Sequence, residues 1–131
     1  FDESQATGGA QVYLFTLDDN WDLDGNFDWN TARLVNHSCD PNCEAQIDDD
    51  LRIWLVAVKD IPESDELSFN YGFGLDDYER HPCRCGTKRC MGYIISDDYR
   101  SELKRILKKK RVKEEKKAAK ERARLKKNKK K

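Results

Sequence analysis

Three cysteines crowd into one short stretch, Cys83-Arg84-Cys85 followed by Cys90, while Cys39 stands far upstream within Asn36-His37-Ser38-Cys39-Asp40-Pro41-Asn42. A C-x-C-x4-C run leaves a tetrahedral zinc ion one ligand short, and four thiolate sulfurs satisfy that ion completely. The fourth ligand must come from a remote segment, which forces one part of the chain against another. The Cys39 segment, marked by its polar cluster, is the candidate, so the metal would clamp that cluster to the C-terminal run. Cys43 lies on an expected strand and reads as a small buried residue. His81, beside Pro82, is a possible substitute ligand. Five cysteines, an odd number at metal spacing, argue for reduced thiols in an intracellular setting rather than a disulfide framework.

The chain has 131 residues, one domain's length at most, and a net charge of zero that hides a split. Residues 1–96 carry 7 Lys/Arg against 19 Asp/Glu, a balance of −12; residues 97–131 carry 18 against 6, a balance of +12. An acidic body suits a basic peptide by electrostatic steering. A basic tail suits nucleic acid or another polyanion, or folds back on the body. No apolar run approaches the length of a membrane span, and no membrane partner is expected.

Residues 11–17, Gln-Val-Tyr-Leu-Phe-Thr-Leu, are rich in strand formers and follow a polar leader ending at Gly8-Gly9. The acidic stretch from Asp18 to Asn30 reads as a solvated turn. It superficially fits a calcium loop from Asn20, but Thr31 stands where a bidentate Glu belongs. A short helical turn is expected over Thr31–Val35. Residues 43–47 and 51–59 predict two strands around Asp48-Asp49-Asp50, the second apolar on both faces and therefore buried. Ser96 is a helix N-cap, Asp97 and Asp98 suit the first turn, and Tyr99, Leu103, Ile106 and Leu107 recur at helical spacing. From about Lys108 there is almost nothing to bury, so any helix there is solvated or frayed.

Residues 32–42, Ala-Arg-Leu-Val-Asn-His-Ser-Cys-Asp-Pro-Asn, resemble the Arg-Phe-x-Asn-His-Ser-Cys-x-Pro-Asn motif of SET-domain protein lysine methyltransferases. Glu66-Leu67-Ser68-Phe69-Asn70-Tyr71 is similar to the family's Glu-Leu-x-Phe-Asp-Tyr, with Asn70 in the usual Asp place. The cysteine run with Met91-Gly92 resembles the post-SET zinc motif. The three occur in the family's order and spacing over roughly residues 11 to 95, which makes the match specific.

The resemblance implies a mainly β fold, a SET-type (β-clip-like) knot of small sheets, with a post-SET zinc segment and a C-terminal basic helix. It divides the chain into the C-terminal portion of a SET domain (1–75), a post-SET segment (76–96) and a basic helical tail (97–131). The family's N-terminal Gly-x-Gly segment has no counterpart, and the chain opens mid-pattern at Phe1, so a fragment or processed product is expected. The implied cofactors are S-adenosylmethionine and a structural zinc held by Cys39, Cys83, Cys85 and Cys90.

Site residues carry over motif by motif. Tyr71, and Tyr13 in its strand, match the active-site tyrosines. Phe69 matches a lysine-channel position and, lacking a hydroxyl, resembles enzymes that add more than one methyl. Arg33, Asn36 and His37 match the cofactor-binding motif. Glu66 is expected to tie the two motifs together by hydrogen bonds, and Asn70 to replace Asp without loss of activity.

The expected function is methyl transfer to a lysine of a basic protein, such as a histone tail, by a monomer. Its place is the nucleus or chromosome if eukaryotic, and the cytoplasm or nucleoid if bacterial. Two alternatives are a catalytically silent module that grips basic peptides, and a protein tethered to nucleic acid through residues 108–131.

Overall fold

The computed structural model describes residues 13–129. The leader, with Gln11 and Val12 of the first expected strand, lies outside the described residues. Within them, six short strands pair two by two. Strand β1 (Leu14–Thr16) runs antiparallel to β2 (Asp22–Asp24), with Phe15 opposite Leu23. The Asp18 carboxylate turns the chain between them, accepting from the backbone N–H of Asn20 at 2.8 Å and of Trp21 at 2.9 Å. The acidic stretch is thus not all turn. Its middle pairs with β1 because Asp22 and Asp24 alternate with Leu23 at the strand period, and that extended backbone cannot wrap an ion as a calcium loop does.

Residues Thr31–Leu34 form the expected helical turn, of 3-10 type. It delivers the chain into β3 (Asn36–His37), which lies parallel to β6 (Ser68–Phe69) in the register Asn36 opposite Ser68 and His37 opposite Phe69. Two motifs more than thirty residues apart are therefore neighbours through backbone pairing.

Between them, β4 (Cys43–Ile47) and β5 (Ile53–Ala57) make an antiparallel hairpin. Asp48 organises its turn, accepting from the backbone N–H of Asp50 and Arg52, from Arg52 Nε and from Trp54 Nε1. Strand β5 is not buried on both faces as its composition predicts. Trp54 is 54% and Val56 38% exposed, since among the described residues a two-stranded hairpin has no second layer over that face.

Among the described residues the largest fully buried side chains are Ile95, Leu103 and Cys39. They lie in the Asn-His-Ser-Cys segment, in the segment before the tail and in the first turn of the helix. Ser96 caps a 3-10 turn at Asp97–Tyr99, its hydroxyl accepting from the Asp98 N–H, and α1 (Arg100–Asn128) continues from there for 29 residues, about 43 Å. Leu103 anchors it. Tyr99, expected at helical spacing with Leu103, Ile106 and Leu107, lies in the 3-10 turn ahead of α1 and is 43% exposed. Arg100 donates to the Arg89 carbonyl, and Lys110 pairs with Glu79 at 2.7 Å. Beyond Leu107 every described residue is exposed. Among the described residues no helix is long and apolar enough to cross a membrane.

Candidate active site and zinc centre

The sulfurs of Cys39, Cys83, Cys85 and Cys90 all lie within 4.8 Å of one another. A tetrahedral zinc with bonds of about 2.3 Å sets its sulfurs about 3.8 Å apart, and Cys39 Sγ and Cys83 Sγ are separated by 3.8 Å. The donor set and its spacing fit zinc. With four protein ligands such an ion is structural, leaving no position for an activated water. Burial pushes the thiols of Cys39 and Cys83 up, whereas at Cys85 hydrogen bonds from Thr87 and the backbone overcome burial and lower it to about 6. A dication removes the conflict by stabilising all four thiolates. The Gly92 N–H donates to Cys90 Sγ at 3.4 Å, and Gly92, at a positive φ of 85°, also returns its carbonyl to the Cys83 N–H. Cys43 and the substitute ligand His81 both stand outside the quartet. Cys43 is buried in β4, and His81 bonds Asp77 at 3.0 Å with its ring edge-on to Phe73.

His37 links the sulfur centre to the second motif. Its Nδ1 accepts the Tyr71 backbone N–H at 3.1 Å, so Nε2 carries the proton and faces Cys39 Sγ at 3.5 Å. Burial lowers its pKa to about 4 against the opposing pull of Asp97, which keeps the ring neutral near pH 7. With both nitrogens engaged, His37 is not a free base.

Tyr71 is held at both ends. Its hydroxyl donates to the Val35 carbonyl at 2.7 Å, directly before β3, and its ring lies 5.4 Å from His37, 5.0 Å from Phe69 and 5.7 Å from Phe73. Burial pushes the phenol pKa up, so it stays protonated as a donor. Phe15 of β1 extends the aromatic group at 6.3 Å from Phe69. A cleft of about 470 Å³ opens beside Phe15 and Tyr71, with the carboxylates of Asp40, Glu44 and Asp97 and the Arg89 guanidinium along it. Its size suits a side chain or a small ligand.

Arg33 reaches back over the preceding loop, donating to the carbonyls of Asp28 and Asn30, pairing with the Asp28 carboxylate at 3.6 Å and sitting 6.0 Å from the Tyr13 ring. Tyr13 is thereby beside Arg33, and its carbonyl accepts the Gly25 N–H. Asn36 is exposed at the edge of β3. Glu66 takes part in the tie between motifs as expected, through its backbone carbonyl rather than its carboxylate. Asn42 does the joining: its Nδ2 donates to the Glu66 backbone carbonyl at 2.8 Å, and its Oδ1 accepts the Ser68 N–H at 2.9 Å. Asn42 closes the first motif, and an amide with both a donor and an acceptor is the signal that could have found it. Val35 was invisible in advance, because it acts through its backbone. Asn70 is also no passive replacement: its Nδ2 donates to the Ile95 carbonyl while its Oδ1 accepts the Gly72 N–H.

Small paired sheets, parallel motif strands and a sulfur quartet fastening the post-motif segment define the SET architecture. The SET-domain family model matches residues 2–72, and the chain belongs to that family. It is similar to the histone-lysine N-methyltransferase trithorax of Drosophila virilis, 40% identical over 89 residues, covering 66% of this chain and 2% of that protein. It is similar also to the H3 lysine-4 specific histone-lysine N-methyltransferase of Saccharomyces cerevisiae, 42% identical over 92 residues, covering 66% of this chain and 8% of that protein. The chain thus spans a small part of the curated relatives it matches. Among solved structures, one of a study on the product specificity of histone lysine methyltransferases matches with a TM-score of 0.53 and 35% identity, over 71% of this chain and 39% of that one. KRYPTONITE in complex with mCHG DNA and SAH matches with a TM-score of 0.55 and 31% identity, over 63% and 20%.

Proposed function

We propose that this protein transfers methyl groups from S-adenosylmethionine to a lysine side chain of a histone or similarly basic protein, acting at chromatin. The observation that carries the reading is the pairing of the Tyr71 hydroxyl with the Val35 carbonyl at 2.7 Å, at the seam of the two motif strands. The relatives' names supply the substrate class, with histone H3 lysine 4 the first target to try.

When bound, the cofactor supplies an electrophilic sulfonium methyl, and every other requirement falls on the protein. The lysine must arrive as a neutral amine, although its reference pKa is about 10.4. Burial against aromatic rings favours the neutral form, and Phe69 and Tyr71 offer such walls. The acidic residues by the cleft draw the cationic side chain in before it is desolvated. The Tyr71 hydroxyl spends its proton on Val35, so its own oxygen and that carbonyl are paired acceptors suited to polarised C–H groups. Alignment then supplies much of the rate, up to about 7–11 kcal/mol for a well-oriented pair. His37, held at both nitrogens, positions Tyr71 and moves no proton. Asn36, with Arg33 beside Tyr13, forms the cofactor side, and Phe69 leaves room for more than one methyl.

The test is radiolabelled methyl transfer onto core histones by the full-length protein, with Tyr71→Phe beside it. A loss of about 10²- to 10³-fold is expected for the variant, the scale of removing one preorganised polar group. Equal transfer by the two proteins counts against the reading. S-adenosylmethionine binding without any transfer would favour a silent peptide-gripping module. Mass spectrometry of the product should find di- or trimethyllysine; strictly monomethylated product would overturn the role given to Phe69.

A further inference from the structure

The exposed length of α1 buries nothing, yet over residues 108–127 its carboxylates keep off one arc while basic residues occur all round. At 3.6 residues per turn, Lys109, Lys113, Lys116, Lys120, Arg124 and Lys127 share one arc about 80° wide and about 27 Å long. Glu114, Glu115 and Glu121 project from the other side, and Glu102 closes the arc at its body end. Among the described residues none of the six has a carboxylate partner, whereas Arg111 pairs with Glu115 and Lys110 with Glu79. Four of the six, Lys109, Lys113, Lys116 and Lys120, line a shallow groove together with Val112 and the flanking Lys108 and Lys117. Like charges at i, i+3 and i, i+4 destabilise a free helix, so this stripe is unfavourable unless a polyanion lies against it.

The ligand class follows from what the helix lacks. A membrane-surface helix needs an apolar face, and the side opposite the arc carries Arg111 and Arg122 amid Ala118 and Leu125. No aromatic residue interrupts the arc, so stacking on unpaired bases has no platform. A helix 10–12 Å across fits the B-form major groove, about 12 Å wide, and not the deep, narrow groove of duplex RNA. The geometry points to this arc as a docking face for the phosphate backbone of double-stranded DNA, independent of sequence and separate from the methyl-transfer reading. It would hold the acidic body, otherwise repelled by DNA, beside chromatin.

The experiment uses the full chain and a fluorescent duplex about 30 base pairs long, three helical turns. Affinity should fall with salt on a log–log slope of about −4 to −5, as for four to six neutralised phosphates. Lys113→Gln, Lys116→Gln and Lys120→Gln together should make that slope shallower by about 3 and weaken binding at least about tenfold at low salt. The matched triple on the other side, Arg111→Gln, Arg122→Gln and Lys126→Gln, should change affinity no more than about twofold. Both triples keep good helix formers, and circular dichroism checks that each stays folded. Helicity should rise on adding DNA to the unsubstituted chain. Equal effects of the two triples would mean that total charge matters and not a face. That result, a salt-independent affinity, or duplex RNA or polyglutamate binding as tightly as DNA, would overturn the proposal.

Discussion

The backbone N–H of Tyr71 donates to Nδ1 of His37 across the parallel strand pair, at 3.1 Å. The same ring presents its other nitrogen to Cys39 Sγ, so a single side chain spans the sulfur centre and the tyrosine. Replacing His37 with Ala leaves a half-buried N–H and a thiolate without their partners. The expected cost is about 1–3 kcal/mol of stability, measured by chemical denaturation. Methyl transfer should fall mainly in kcat, because the Tyr71 ring loses its support while the carboxylates of Asp40, Glu44 and Asp97 along the cleft remain.

Cys39→Ser should release both the metal and the segment it holds. Ligand loss and unfolding are linked, since a closed zinc site forms only when its four donors are together. Elemental analysis is expected to find less than one zinc per chain, and hydrogen exchange over residues 83–92 should quicken. Cys43→Ser, outside the quartet, should keep its zinc.

Asn70→Asp restores the family's usual residue and should nonetheless destabilise this chain. The amide donates to the Ile95 carbonyl; a carboxylate oxygen there would face another acceptor. The loss should be about 1–3 kcal/mol, readable as a lower denaturation midpoint with an unchanged slope.

Hydrogen bonds from Trp54 Nε1, the Arg52 backbone and the Arg52 side chain hold the Asp48 carboxyl down at about 2. Because the unfolded chain binds this proton more readily, the stabilisation is complete above the ordinary carboxylate range near pH 4 and vanishes as pH falls through about 2. Trp54 fluorescence should follow that window. Asp48→Asn should flatten the response between about pH 2 and 4.

What the chain order alone determined was the chemistry of the parts. Cysteine spacing and the polar cluster around Cys39 pointed to the four sulfurs that lie together, and the two motifs singled out Asn36, His37, Phe69 and Tyr71 as candidates, because ligand type and local pattern are properties of the residues themselves. The 3-10 turn at Thr31–Leu34, the hairpin around Asp48 and the Ser96 cap were legible for the same reason: each is made by hydrogen bonds within a few residues. Tertiary structure decided the rest. That Asn42, not the Glu66 carboxylate, joins the motifs depends on which backbone groups the parallel pairing brings opposite one another. Val35 works through a carbonyl that every residue carries, so no side chain could announce it. The exposure of β5 was hidden because an apolar strand has the same composition whether or not another layer covers it, and coverage is settled only by where distant segments come to rest.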